Sequence, residues 1–267
     1  MNNMTEKKIS LLVPTLGERI NEITRLLDSI EQQHYPMVET VFVVQDNYSK
    51  LAAIIEKYDN LKIKQININE RGLSYARNVG LDNIEGDIIV LSDDDCWYPK
   101  GALSAINSAF QKYKDIDILL TQIYDPVSKV NYKDYSNRQQ KIKSVFKLLS
   151  KSSIEIAFKK EVGSKFDVEF GLGRKFIAGE EIDFLVNNYK MGYSIYYIPE
   201  RTVYHQKKSA RDNNYQIRAK GAFYCKNFGF LISCLILIRD LLVKRQNNIK
   251  VFFEGYNEYK KIHKRSN

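Results

Sequence analysis

Apolar residues fall into two rhythms along the first hundred positions. Unbroken runs such as Ile9–Pro14 (ISLLVP) and Thr40–Val44 (TVFVV) have the density of strands buried on both faces. Between them Ile20, Ile23, Leu26, Leu27 and Ile30 recur at helical spacing. The same alternation continues with a helix over Leu51–Tyr58, a strand over Lys62–Ile68, a helix over Ser74–Ile84 and a strand over Asp87–Ser92. This βαβαβαβ order predicts right-handed crossovers, a mainly parallel central sheet flanked by helices, and ligand binding beyond the carboxyl ends of the strands.

After Pro99 the rhythm loosens. The pattern predicts a helix to about Lys114, a strand near Ile116–Ile123, a polar Tyr/Lys-rich insertion and a strand at Ile154–Lys159. A further helix begins near Gly179 and ends before Gly192, leading to a strand at Ser194–Pro199. Beyond His205 the pattern turns helical and basic, with a boundary between about Gln206 and Asn214. The expected organisation is an α/β domain over 1–205, with halves of about 1–99 and 100–205, and a helical extension over 206–267. There is no internal repeat and no low-complexity tract.

Composition adds three constraints. At 267 residues and 44% hydrophobic content the chain has the makeup of a folded protein. Its three cysteines, Cys96, Cys225 and Cys234, are odd in number and lack CxxC spacing, which argues against a disulfide framework or zinc site and for a reducing, cytoplasmic setting. The net charge of +9 is unevenly placed: from Tyr204 to the end there are fourteen Lys/Arg against four Asp/Glu, or +10, leaving about −1 for the rest. The start, MNNMTEKKIS, lacks the apolar stretch of a secretory signal. The longest apolar run, Phe228 to Ile238, stops at Arg239 and Asp240, short of the ~18 residues of a membrane span, so no bilayer crossing is expected.

Three segments carry candidate chemistry. In IVLSDDDCWYP, Asp93, Asp94 and Asp95 follow a strand at the place where an open α/β sheet presents its crevice. Adjacent carboxylates repel unless a cation neutralises them, and all-oxygen ligands suit Mg²⁺ or Mn²⁺. The same triplet would also serve as a solvated acidic turn capping the next helix. In GLGRKFIAGEEIDF, Glu180, Glu181 and Asp183 crowd the start of a helix, where acids complement the helix dipole or where one acts as a general base. His205 follows the last strand, as a structural histidine or a metal ligand.

Taken in order, the segments ISLLVPT, RLLDSIEQQHYP, VFVVQDN, GLSYARNVGL, LSDDDCWYP, GEEIDF and YHQ resemble the inverting glycosyltransferases of family 2, which have the GT-A fold, over Ile9 to about Phe228. The resemblance implies that Pro14, Thr15 and Glu18 border the nucleotide, that Asp46 hydrogen-bonds its base, and that Arg77, with Ser74 nearby, faces the nucleotide or its phosphates. It implies further that Asp94 contacts the ribose or sugar, and that Asp95, helped by Asp93 and His205, holds Mn²⁺ or Mg²⁺. Glu181 stands where the family has an aspartate base, with Asp183 as the second candidate. Two departures bear on specificity: Gln45 replaces the first acid of the family's VVDDGS-like stretch, whose Asp-Gly-Ser turn is absent, and Glu181 is one methylene longer than aspartate.

The implied function is metal-dependent, inverting transfer of a sugar from a nucleotide diphosphate donor, UDP favoured, to a hydroxyl of a glycan or lipid-linked glycan, in the synthesis of cell-surface polysaccharide. The alternatives are a nucleotide-sugar-binding partner subunit with impaired catalysis and a basic nucleic-acid-binding protein. Confinement of the charge to the tail, with no nucleic-acid motif, argues against the last. The basic, apolar extension reads as an interfacial helix on an anionic membrane face, which would make the protein peripheral on the inner face of the cell membrane, as a helix packed on its own domain, or as an oligomer contact.

Overall fold

The structure, a computed structural model, describes residues 6–207, 214–244 and 248–264. Strand β1 (Ile9–Thr15) is buried along its whole length and pairs in parallel on both sides, with β2 (Val38–Val44) and β4 (Ile88–Leu91). Burial on both faces explains its uninterrupted apolar run. Strand β3 (Ile63–Asn67) extends this parallel half beyond β2. Alternate side chains of β1 serve different cores. Ile9, Leu11 and Val13 join the core formed by α1 (Ile20–Glu31), α2 (Tyr48–Ile55) and α4 (Ala102–Lys112), whereas Leu12 packs toward α3 (Leu73–Leu81) and α5 (Glu180–Lys190).

The second half of the sheet is mixed. It comprises β5 (Ile118–Asp125), the two-residue strands β6 (Val130–Asn131) and β7 (Gln140–Lys141), β8 (Ile156–Lys159) and β9 (Ile195–Tyr204). The strand order is β3-β2-β1-β4-β8-β5-β9-β7, with β6 paired to β5. Strand β8 lies antiparallel between β4 and β5, so the parallel half joins the rest through one reversed strand. The elements expected from hydrophobic rhythm are all present, with boundaries shifted by a few residues. The largest extension is at β9, which runs on to Tyr204.

The C-terminal elements are α6 (Asn214–Lys244) and α7 (Ile249–Lys264). Residues 208–213, on which most of the expected boundary falls, lie outside the described residues. Helix α6 contains Gly229 at φ 68° and ψ 177°, where the chain reverses. Past it Ser233 Oγ donates to the Tyr224 carbonyl at 3.1 Å, and Tyr224 Oη donates to Asp240 at 3.0 Å. Residues 224 and 240 would stand about 24 Å apart along a straight helix, so 214–228 and 230–244 are two limbs of a hairpin. By length and composition Asn214–Leu242 would suffice to cross a membrane, a difference from the sequence expectation, yet the stretch doubles back at its midpoint.

The first limb and α7 share the α3/α5 core through Ala222, Phe223, Tyr224, Phe252 and Tyr256. Their backbones meet at two glycines. A Cβ on Gly221 would stand 2.0 Å from the Phe252 carbonyl oxygen, and one on Gly255 would stand 1.9 Å from that of Arg218, closer than any side chain permits.

Candidate active site

Strand β1 connects toward β2 on one side and has β4 on the other, so the sheet order diverges between β1 and β4, where an open α/β sheet leaves a crevice at its carboxyl edge. The residues leaving these two strands meet there. Thr15 Oγ1 donates to Asp94 at 2.6 Å and accepts from the Gly17 amide at 2.9 Å. Arg19 bridges Asp94 and Asp95 at 3.0 and 2.7 Å, supplying a cation to the triplet. Burial nevertheless holds the Asp94 carboxyl above its usual range, against the Thr15 hydrogen bond and the Arg19 charge. The resulting cleft, ≈ 440 Å³, is large enough for a nucleotide-sized ligand.

Residues far apart in sequence close the cleft from the other side. Trp97 and Tyr204 exchange backbone hydrogen bonds of 3.1 and 2.7 Å, which joins the segment after β4 to the end of β9. Two residues before Trp97 and one after Tyr204, side chains meet: His205 Nε2 lies 3.1 Å from Asp95 Oδ1. Tyr132 stands edge-on to the imidazole, and Arg25 caps Trp97 at 3.6 Å while donating to the Asp95 carbonyl at 2.9 Å.

Asp93 points elsewhere. It accepts from the fully buried Arg77 at 3.3 Å, and Arg77 also donates to Glu180 at 3.0 Å. Arg77 therefore ties the acidic triplet to the first turn of α5. In that turn burial, then the charge of Glu180, pushes the Glu181 carboxyl up to about 8. Asp183 is wholly buried and accepts from Lys226 at 2.6 Å, Asn227 at 2.8 Å and Asn187 at 3.1 Å. It holds α6 against α5.

On the far side of the crevice Gln45 Oε1 accepts from the Gly72 amide at 2.7 Å, and Asp46 forms an ion pair with Arg71. The Asn47 amide, then Arg71, holds the Asp46 carboxyl below its usual range. Ser74 is fully buried, donating to the Phe170 carbonyl at 2.7 Å. It thereby fixes the Gly171–Gly173 loop, of which Leu172 and Gly173 line the cleft.

Of the residues singled out from sequence, Pro14, Thr15, Glu18, Asp93, Asp94, Asp95 and His205 line one cleft. Asp46 lies next to lining residues, Ser74 and Arg77 lie beneath, and Glu181 is joined to the triplet through Glu180 and Arg77. Among the described residues no group of three or more His, Cys, Asp and Glu side chains could hold a metal by itself. Asp95 and His205 converge as one carboxylate and one imidazole, and among the described residues His205 Nδ1 is buried without a hydrogen-bond partner. That donor pair fits a Mg²⁺- or Mn²⁺-type ion whose remaining ligands come from a diphosphate and water, the usual manner for a hard cation at a phosphate site.

The family model for "Glycosyl transferase family 2" matches residues 10–171, more than half of the chain, including β1, β4 and the acidic triplet. The chain belongs to glycosyl transferase family 2. Among curated relatives, this glycosyltransferase is 35% identical over 121 residues to poly(ribitol-phosphate) beta-N-acetylglucosaminyltransferase TarS of Staphylococcus aureus, covering 43% of the present chain but only 21% of TarS. Solved structures of TarS residues 1–349 with UDP-GlcNAc superpose with a TM-score of 0.69 at 19% identity, over 94% of this chain and 80% of that one. The mannosyltransferase PcManGT of Pyrobaculum calidifontis, solved with GDP-Man and Mn²⁺, gives 0.60 at 18%, over 89% and 66%. At such identities the superpositions establish a shared GT-A fold.

Several residues of the glycosyltransferase's cleft escape a reading of sequence alone. Arg19 and Arg71 supply its cations, and Tyr132 comes from the polar insertion after β5. Arg19 falls one residue past the segment Pro14–Glu18, so its place at the mouth of the crevice was the one signal available. Tyr132 reaches the site only through β6, a two-residue strand with no periodicity to detect.

Proposed function

We propose that the protein transfers a sugar with inversion from a nucleotide diphosphate donor, UDP favoured, to a hydroxyl of a glycan or lipid-linked glycan in cell-surface polysaccharide synthesis. The carrying observation is the constellation Thr15, Asp94, Asp95 and His205 at the β1/β4 divergence, tied through Arg77 to the first turn of α5. The resemblance to TarS, in structures with UDP-GlcNAc, supports the donor class, and its name supports the setting.

In this reading Asp94 and Thr15 receive the ribose or sugar, while Gln45, Asp46 and Arg71 border the base. Asp95 and His205, with Asp93 behind them, would hold a divalent cation, which would supply positive charge against that gathering on the departing diphosphate. Arg19 and Arg71 add positive charge to the same cleft. Glu181 accepts the proton of the acceptor hydroxyl as that oxygen bonds to the anomeric carbon. The carbon–oxygen bond to the diphosphate breaks on the opposite face through an oxocarbenium-like transition state, which gives inversion. Arg77 acts as a positioning residue: by engaging Glu180 and Asp93 it fixes the separation of base and diphosphate.

Transfer from UDP-sugars, followed by nucleotide release in the presence of Mn²⁺, tests the reading. A substitution Asp95→Ala is expected to lower transfer by orders of magnitude in a folded protein, and Mn²⁺ chelation to do the same. Full transfer by the Asp95→Ala variant contradicts it. Binding of UDP-sugar without any turnover would instead favour the impaired partner subunit.

A further inference from the structure

The second limb of α6 has two apolar faces. Its inner face, with Ser233, Ile236, Leu237 and Asp240 buried, closes the hairpin. Its outer face carries Leu231, Leu235, Ile238 and Leu242, exposed by 78, 67, 53 and 78%. Their spacings of four, three and four residues put them on one helical stripe. Phe230 and Ile232 widen it at one end, and the exposed Ile249 opens α7 after the other. Phe230 also packs against Tyr256 of α7 with ring centroids 5.9 Å apart, but Leu231, Leu235, Ile238 and Leu242 belong to neither core, and so long an apolar stripe on a surface helix marks a contact with something outside the domain.

The charge beside the stripe distinguishes among occupants. Arg239 sits within the stripe's span, half exposed, and Lys250 is exposed at the start of α7. Lys244 and Arg245 directly follow the stripe in sequence, within a C-terminal segment whose balance is +10. Asp240 is buried between Lys220 and Arg239, so one carboxylate meets two cations there and the local balance stays positive. A second copy would bring the same positive excess against itself. An anionic bilayer complements both the leucines and the cations.

We propose that the stripe Leu231, Leu235, Ile238, Leu242 seats the protein on the anionic headgroup face of a lipid bilayer. The second limb lies in the interface plane with its leucines at the acyl boundary, while neighbouring Lys and Arg side chains reach lipid phosphates. The reversal at Gly229 is what makes this limb an in-plane helix: the apolar stretch is folded in two instead of extended across the membrane. The inner face of the same limb holds the hairpin to the catalytic sheet, so the membrane contact is rigidly joined to the enzyme. The proposal does not depend on the donor chemistry.

Cosedimentation of the full chain with phosphatidylglycerol-containing vesicles, set against pure phosphatidylcholine vesicles, tests it. The wild type should pellet with the anionic vesicles. The substitutions Leu231→Ser, Leu235→Ser, Ile238→Ser and Leu242→Ser combined should weaken that partition by roughly tenfold or more. Thermal unfolding and UDP binding of the quadruple variant should match the wild type, because the four positions lie outside the core and the cleft. Unchanged pelleting of the variant, equal pelleting with neutral vesicles, or a wild type that stays in solution each overturns the proposal. A wild-type dimer that the variant converts to monomer, with no vesicle binding, would assign the stripe to a second copy instead.

Discussion

Glu181 and Asp183 sit two residues apart, yet their surroundings give them opposite tasks. Three donors saturate Asp183, so it is a strut between α5 and α6. Replacing it with alanine leaves Lys226 with Asp167 as its remaining carboxylate and takes an acceptor from Asn227, and the expected loss is about 1–3 kcal/mol of stability, read by urea unfolding. Glu181 faces Glu180, Arg77 and Lys133, and holds its proton to about pH 8. Glu181→Gln should lower transfer about 10²–10⁴-fold. In the wild type the rate should climb with pH toward about 8, as the carboxyl loses its proton, and the variant should lack that limb.

The same group makes a stability prediction of definite sign. Its value in the fold lies above the ordinary value of 4.5. The stabilisation is therefore complete below about 4.5 and is lost as pH rises through about 8. Glu181→Gln should accordingly gain stability over the wild type as pH rises, by about 1 kcal/mol or more at pH 9 compared with pH 5. Thermal melts of both proteins at the two pH values check this, and an advantage larger at pH 5 contradicts the assignment.

Among elements, what could be read from sequence followed periodicity and turn chemistry. The parallel half of the sheet was legible because β1, β2 and β4 are short apolar runs between helices of clear rhythm. The acidic triplet and His205 were legible as types, and their family order implied a site. Their meeting at 3.1 Å was not, because it depends on the Trp97–Tyr204 bridge between strands a hundred residues apart. Asp183 could not be separated from Glu181 by sequence, since its partners Lys226 and Asn227 arrive on a different helix. The hairpin in α6 was hidden for a related reason: one glycine at positive φ reverses a segment whose composition reads as continuous helix. The crossing of α6 and α7 gives a test at this scale. Gly221→Val inserts a side chain where the Phe252 carbonyl stands, and should cost about 1–3 kcal/mol or more in thermal unfolding, whereas the surface substitution Lys250→Gln should leave stability nearly unchanged.

For the whole molecule, the α/β sheet supplies a crevice, β9 closes it, and Arg77 ties its acidic triplet to the first turn of α5, where we propose the base. The C-terminal helices then brace α5 through Asp183 and turn an apolar stripe outward. The chain spans about a fifth of TarS by sequence. We propose that Asp95 and His205 together would hold the divalent ion that receives the donor diphosphate. Crystals soaked with UDP and Mn²⁺ and measured at the manganese absorption edge test this most directly. A single anomalous peak in contact with Asp95, His205 and the diphosphate oxygens is expected. Bound UDP whose diphosphate lies away from Asp95, or a manganese peak elsewhere in the cleft, would contradict it.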